Sequence, residues 1–309
     1  MSMNESMPAD APRSGPPWIQ PAIQQQIRWR DGDVVISVPA KSGTTWTMNI
    51  VHQLFTGGTT DFRDIYAEVP WIEFLGHPAQ THQDVLDRLD AMPLNRRRAF
   101  KSHSAPPALP FFPADTRRGI QYIVVFRNPE EALVSFRPFI DQHTDDWFDL
   151  WQVPREALCR ADFRSFYHEV VDAKRMQANF FGFLDAWWPL RKEPNVLFLH
   201  YSDMKREHDA TMRKVAQFLG LEPTVAQWKS ILEYTSFRWM KQHEEKFEAR
   251  TISRVPLLET GAMIRQGEAG KADCDGMTAD ISRHLRQIGG EICRDPAAVD
   301  WYYGGGPLP

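Results

Sequence analysis

The sequence predicts an α/β protein with a mostly parallel central sheet flanked by helices on both faces, and three observations point that way. Short apolar runs rich in β-branched and aromatic residues recur at residues 34–38, 121–126 and 196–200, the right length for buried strands and too short for helices. Each leads through a turn into a stretch with apolar residues three or four apart, the spacing of an amphipathic helix. Strands alternating with helices favour parallel pairing through helical crossovers.

Composition limits the function classes. A chain of 309 residues suffices for one large domain, and no shift in composition marks an internal boundary. Residues 18–309 are therefore read as a single domain behind a flexible lead-in, residues 1–17. Residues 1–21 are rich in Ser, Pro and Ala but lack the basic start and apolar core of a signal peptide. No apolar run reaches membrane-spanning length. A formal net charge of −4 offers no general attraction to nucleic acid or an anionic membrane, so neither partner is expected and any anion site must be local. Cys159, Cys274 and Cys293 are widely spaced, odd in number and without metal-ligand spacing. They read as reduced thiols and favour a cytoplasmic location.

Residues 34–46 read as strand, anion loop and helix. Pro39 ends the strand ladder for want of an N–H, Gly43 permits a tight turn, and a helix starts near Thr44. The free N–H groups of that helix, the hydroxyls of Ser42, Thr44 and Thr45 and the ammonium of Lys41 converge on one point, which suits phosphate. The helix runs through Ile50, Val51 and Leu54 until Gly57-Gly58 stops it. Trp71 and Phe74 then stand around Val69-Pro70, as core or as pocket wall. A short helix is expected over residues 83–92. Arg96-Arg97-Arg98 reads as a solvated charge run.

His103 closes a short strand, 99–102, at the carboxyl edge where parallel sheets carry ligands. The strand at 121–126 delivers Arg127 to the same edge, followed by Pro129 for the first turn of a helix, Glu130 and Glu131 for its dipole, and Ser135 further along. Residues 140–164 read as an inserted loop or lid, broken at Pro154. Residues 166–188 read as one long amphipathic helix ended by Pro189. The strand at 196–200 leads to Tyr201-Ser202-Asp203-Met204, and a helix over 213–219 closes at Gly220.

The loop Pro39-Ala40-Lys41-Ser42-Gly43-Thr44-Thr45-Trp46 departs from the Walker A order, because its glycine follows the lysine. It resembles the PKSGTTW loop of the PAPS-dependent sulfotransferases of cytosolic type, with Ala40 as one extra residue. Further segments resemble the same family in the same order. Lys101-Ser102-His103 before proline is similar to KTHxP, whose histidine is the catalytic base. Residues 69–74 resemble VPFLEF, which lines the acceptor pocket, and so implicate Trp71, Phe74 and His103 in acceptor binding. Residues 122–139 resemble YxxRNPxDxxVSxxxF, whose arginine and serine bind the 3′-phosphate of the cofactor; Arg127, Ser135 and Phe139 keep their places while Glu131 replaces the aspartate. Tyr201 to Lys205 resembles YEDMK and Tyr234 to Phe237 resembles HTSF, which assigns Tyr201, Thr235 and Phe237 to the adenine end. Residues 263–271 match RKGxxGDWK in part. Arg265, Gly267 and Gly270 are kept, Gln266 replaces a cation, and Lys271-Ala272 stands where Asp-Trp is usual.

The resemblance covers about residues 18–301 and implies a P-loop-type sulfotransferase fold. It also implies sulfuryl transfer from 3′-phosphoadenosine 5′-phosphosulfate (PAPS, leaving PAP) to a hydroxyl or amine of a small-molecule acceptor. The cofactor residues would be Lys41, Ser42, Gly43, Thr44, Thr45, Trp46, Arg127, Ser135, Tyr201, Thr235, Phe237, Arg265, Gln266 and Gly267. His103 would be the base, with Lys41 and Lys101 as catalytic cations and no metal. The family's dimerisation pattern, KxxxTVxxxE, has no counterpart around Thr278, which leaves the oligomeric state open. Two other classes fit parts of the sequence. A P-loop kinase would leave Arg127 and Ser135 unexplained, and a nucleotide-binding protein without turnover would leave His103 unexplained.

Overall fold

A computed structural model describes residues 15–116, 118–264 and 276–309. Four strands, β1 (Val34–Ser37), β2 (Ala99–Ser102), β3 (Gln121–Phe126) and β4 (Val196–His200), form one sheet in the order β2-β1-β3-β4. Every pairing is parallel. The strands are buried along almost their whole length, which explains why they read as continuous apolar runs without alternation. Chain order reverses around β1, with β2 on one side and β3 on the other. Such a reversal opens a crevice at the carboxyl ends, and four segments meet there: the loop after β1, His103 after β2, Arg127 after β3 and Tyr201 after β4.

The helices begin where their caps allow. Asn128 Oδ1 accepts from the Glu130 N–H at 2.9 Å, and Pro129 opens Pro129–Asp141. Thr81 and Asp84 cap His82–Asp90 reciprocally, close to the helix expected over 83–92. Gly57 takes φ +71 and ends Thr44–Thr56 as expected. Among the described residues no helix is long and apolar enough to cross a membrane.

Three sequence expectations are overturned. The triple arginine is not a solvated run. Arg96 is exposed and meets Glu68, but Arg98 is 1% exposed and grips Asp33 through Nε (2.9 Å) and Nη2. Arg97, half-buried, donates to the Gly32 and Leu219 carbonyls. A charge run cannot show its partners when they lie 65 residues away in sequence. Residues 140–164 are not one continuous loop either. Thr144 caps a helix, Asp145–Trp151, that buries Trp147, Phe148 and Trp151. Its seven residues are too short for periodicity to reveal. The long helix expected over 166–188 is broken into a helical turn (Phe163–Phe166), a wide π-turn (Tyr167–Asp172) and a new helix (Met176–Trp187), with Arg175 left-handed at φ +52 between them.

Arg98→Ala leaves Asp33 buried and unpaired. We expect a loss of about 3–5 kcal/mol in unfolding free energy, measured by urea denaturation, whereas Arg96→Ala loses less than about 1 kcal/mol.

Candidate active site

The loop after β1 is shaped for an anion. Val38 still pairs with Ser102, and Pro39 then releases the chain. Lys41 is held at φ +62, an unusual conformation for a side chain with a Cβ. Gly43 takes φ +92, and a Cβ there would stand 2.7 Å from Tyr201 Cδ2, so both backbone and space require glycine. The first helical bond runs from the Thr47 N–H to the Gly43 carbonyl, at 3.0 Å. The N–H groups of Thr44, Thr45 and Trp46 therefore have no intrahelical partner, and no side chain caps them. Ser42 is fully buried with its Oγ unpartnered.

Arg127 reaches into the same crevice. Its Nη1 donates to the Lys41 carbonyl at 3.2 Å, its Nε to Glu131 at 3.1 Å, and its guanidinium lies 4.7 Å from the Tyr201 ring centroid. Glu131 thus keeps the charge of the aspartate it replaces and spends it on Arg127. Ser135 follows two turns into the Pro129–Asp141 helix, on the cavity wall. Trp46 stands edge-on to Tyr201, and its Nε1 donates to the Thr235 carbonyl at 2.8 Å. Phe237 opens the helix Phe237–Gln242 at the rim.

Beyond the loop lies the chemistry of β2. His103 Nδ1 is 2.5 Å from the Val38 carbonyl. A carbonyl only accepts, so Nδ1 carries the proton and Nε2 keeps its lone pair on a ring that lines the cavity. Burial, with Lys101 and then Lys41 adding to it, lowers the His103 pKa to about 3 against the Val38 bond, and the ring is neutral at physiological pH. Lys101, 3% exposed, holds its ammonium 3.4 Å from the Trp71 ring centroid. Burial brings its pKa down to about 7, with Glu73 opposing and Lys41 assisting. Trp71 stacks on Phe74 at 4.6 Å and meets His103 edge-on at 4.9 Å.

Loop, arginine, lysines and histidine all border one cavity of about 1050 Å³. It holds most of the described residues that the sequence singled out, but not Ser42 or Thr235. Ser42 sits behind the wall. Thr235 is fully buried, with its hydroxyl donating to Ile231 and close to His208; it touches the site through Trp46. Arg265, Gln266 and Gly267 lie outside the described residues. Phe111 and Phe112 do not line the cavity and pack near Tyr122, Trp187 and Trp29. The cavity also has walls that sequence reasoning missed, including Trp18, Tyr66, His143, Trp147 and Phe180. His143 donates from Nδ1 to the Phe139 carbonyl at 3.0 Å, and burial lowers its pKa to about 4. The density of aromatic residues around 139–151 was the available signal. It does not say which rings face the same space.

The family model for the sulfotransferase domain matches residues 31–295. Sulfotransferase 1A1 of Mus musculus is 27% identical over 224 residues, covering 72% of this chain and 70% of its own. Sulfotransferase 2A1 of Homo sapiens is 26% identical over 255 residues, covering 80% of each. Among solved structures, mouse sulfotransferase SULT7A1 complexed with PAP shares the fold at a TM-score of 0.68 and 19% identity, over 91% of this chain and 90% of that one.

The lowered histidines carry a pH signature. Between their ordinary value near 6.5 and their folded values near 3 and 4, the unfolded chain binds protons that the folded chain refuses. Stability should therefore fall as pH drops through that window. We expect the His103 ring, followed by ¹⁵N NMR, to stay in its Nδ1–H form from pH 8 to pH 5, and His143→Gln to flatten the loss of unfolding free energy between pH 7 and pH 5.

Proposed function

This chain belongs to the sulfotransferase domain family, and on that footing we propose that it transfers the sulfuryl group of PAPS to a hydroxyl, or an amine, of an apolar small molecule, with His103 as general base. The observation that carries this reading is the bond from His103 Nδ1 to the Val38 carbonyl, which leaves Nε2 neutral, with its lone pair free to accept a proton, on the cavity that the loop after β1 borders. An alcohol is a poor nucleophile at neutral pH, and a base that takes its proton during attack removes that obstacle.

The residues present fit the donor. The free N–H groups of Thr44, Thr45 and Trp46 suit a 5′-phosphosulfate, while Ser42, behind the wall, ties the loop back through its N–H to the Pro39 carbonyl. Arg127 and Ser135 would hold the 3′-phosphate, with Arg265, Gln266 and Gly267 from the segment beyond Ile264. Tyr201, Trp46 and Phe237 would frame the adenine, and Thr235 would support Trp46 from behind. PAPS supplies the activated sulfuryl group. Lys41 and Lys101 stabilise charge that grows on the sulfuryl oxygens and the leaving phosphate, in a cavity where fixed donors act at low dielectric. A bound anion also favours the charged form of Lys101. Trp71, Phe74 and the neighbouring aromatic walls exclude water and receive the apolar body of the acceptor.

Two measurements test this. PAP should raise the melting temperature far more than ADP or AMP, because Arg127 and Ser135 would contact only the 3′-phosphate. At about a hundred times its dissociation constant a ligand adds roughly 2.7 kcal/mol. Equal shifts for ADP and PAP would remove the 3′-phosphate assignment, and Arg127→Ala should narrow the gap. His103→Ala should lower turnover about a hundredfold or more while calorimetry finds PAP affinity nearly unchanged, whereas Lys41→Ala should damage both. Full turnover in His103→Ala would assign the base elsewhere.

A further inference from the structure

Glu73 takes no part in the chemistry above, yet it lies fully buried directly behind it. Its Oε1 accepts from the His103 backbone N–H at 2.5 Å and stands 3.1 Å from the Ser102 hydroxyl, which also lies 2.9 Å from Gln24 Oε1. Glu73 sits between Trp71 and Phe74, on a segment tied to β2 by backbone bonds from Lys101 to Pro70 (2.9 Å) and from Ile72 to Lys101 (3.1 Å). The Glu73 carbonyl in turn accepts from Gln20 at 2.7 Å, close to Trp18 on the cavity wall.

A buried carboxylate is costly to keep unless its position is used. We propose that Glu73 is a positioning residue that locks the strand end bearing His103 to the segment bearing Trp71 and Phe74, and so sets the spacing between base and acceptor wall. Its charge has a second consequence. The groups facing the Lys101 ammonium are Glu73, Lys41, His103 and the rings of Trp71 and Tyr66. Glu73 is the acid among them: burial raises its pKa, and the His103 N–H, Trp71, Lys101 and Ser102 oppose that shift and favour the carboxylate. It opposes burial and Lys41 and helps Lys101 remain protonated, which the stabilisation of sulfuryl oxygens requires. Removing that charge must lower the Lys101 pKa further.

The kinetic half of this inference rests on the sulfuryl-transfer reading, whereas the titration half does not. With ¹³C-lysine-labelled full-length protein, the Lys101 Cε signal, assigned by its loss in Lys101→Arg, should titrate near pH 7 in the wild type. In Glu73→Gln the midpoint should fall by about one pH unit or more. With PAPS and 2-naphthol as probe, Glu73→Ala should lower kcat about tenfold or more and raise the naphthol KM, with PAP affinity kept within about twofold. Glu73→Gln retains an acceptor for the His103 N–H, so it should recover much of kcat while the alkaline limb of kcat/KM moves down in pH with the Lys101 midpoint. An unmoved midpoint in Glu73→Gln, or both variants within about twofold of wild type at every pH, would overturn the proposal. Glu73→Gln decides alone where Glu73→Ala fails to fold. A wild type that binds PAP but turns over neither naphthol nor other acceptors would count against the transferase reading, and the titration would still decide on Glu73.

Discussion

Ser37 pairs with Ser102 on one side and Val124 on the other, and the parallel register of β1 with both neighbours follows from those pairs. That register brings the Val38 carbonyl within reach of His103, and a slip of one residue would turn every side chain of a strand to the opposite face. The same alignment places Arg127 beside Lys41, so Lys41, His103 and Arg127 converge at one edge of the sheet. A parallel sheet buried on both faces tolerates no slip, since each shift would expose apolar residues and orphan ladder bonds. The precision of the site is inherited from the packing of the core.

Around that edge the protein concentrates charge where solvent is scarce. Lys41, Lys101 and Arg127 border one cavity although the chain as a whole is acidic. Their repulsion is moderated in different ways. Arg127 is paired with Glu131 and stacked on Tyr201, Lys41 lies 4.2 Å from the Phe139 ring centroid, and Lys101 rests on Trp71 with Glu73 behind it. Aromatic faces suit this purpose, because they stabilise a cation without neutralising it. Lys41, Lys101 and Arg127 all keep a place on the cavity wall, and the neutral imidazole of His103 adds no further positive charge.

What the sequence determined by itself was the chemistry and its order along the chain. Strand, loop and helix at 34–56, the arginine before Pro129 and the histidine after β2 depend on local rules, in which β-branched runs extend, proline ends ladders, and glycine takes positive φ. Those rules act over a few residues and can be read directly. The resemblance to a known family rested on the same local segments, and membership followed for residues 31–295.

The tertiary structure decided everything that depends on partners far apart in the chain. It buried Arg98 against Asp33 and withdrew Thr235 from the cavity to support Trp46. It folded 145–151 into a helix whose Trp147 closes the pocket and moved Phe111 and Phe112 away from it. It also turned Glu73, an unremarked acid between two aromatics, into the buried anchor of His103. Burial is a property of the whole packed chain, and so are the protonation states that follow from it. The same Lys-Ser-His triplet on an exposed strand would carry ordinary pKa values and no fixed tautomer.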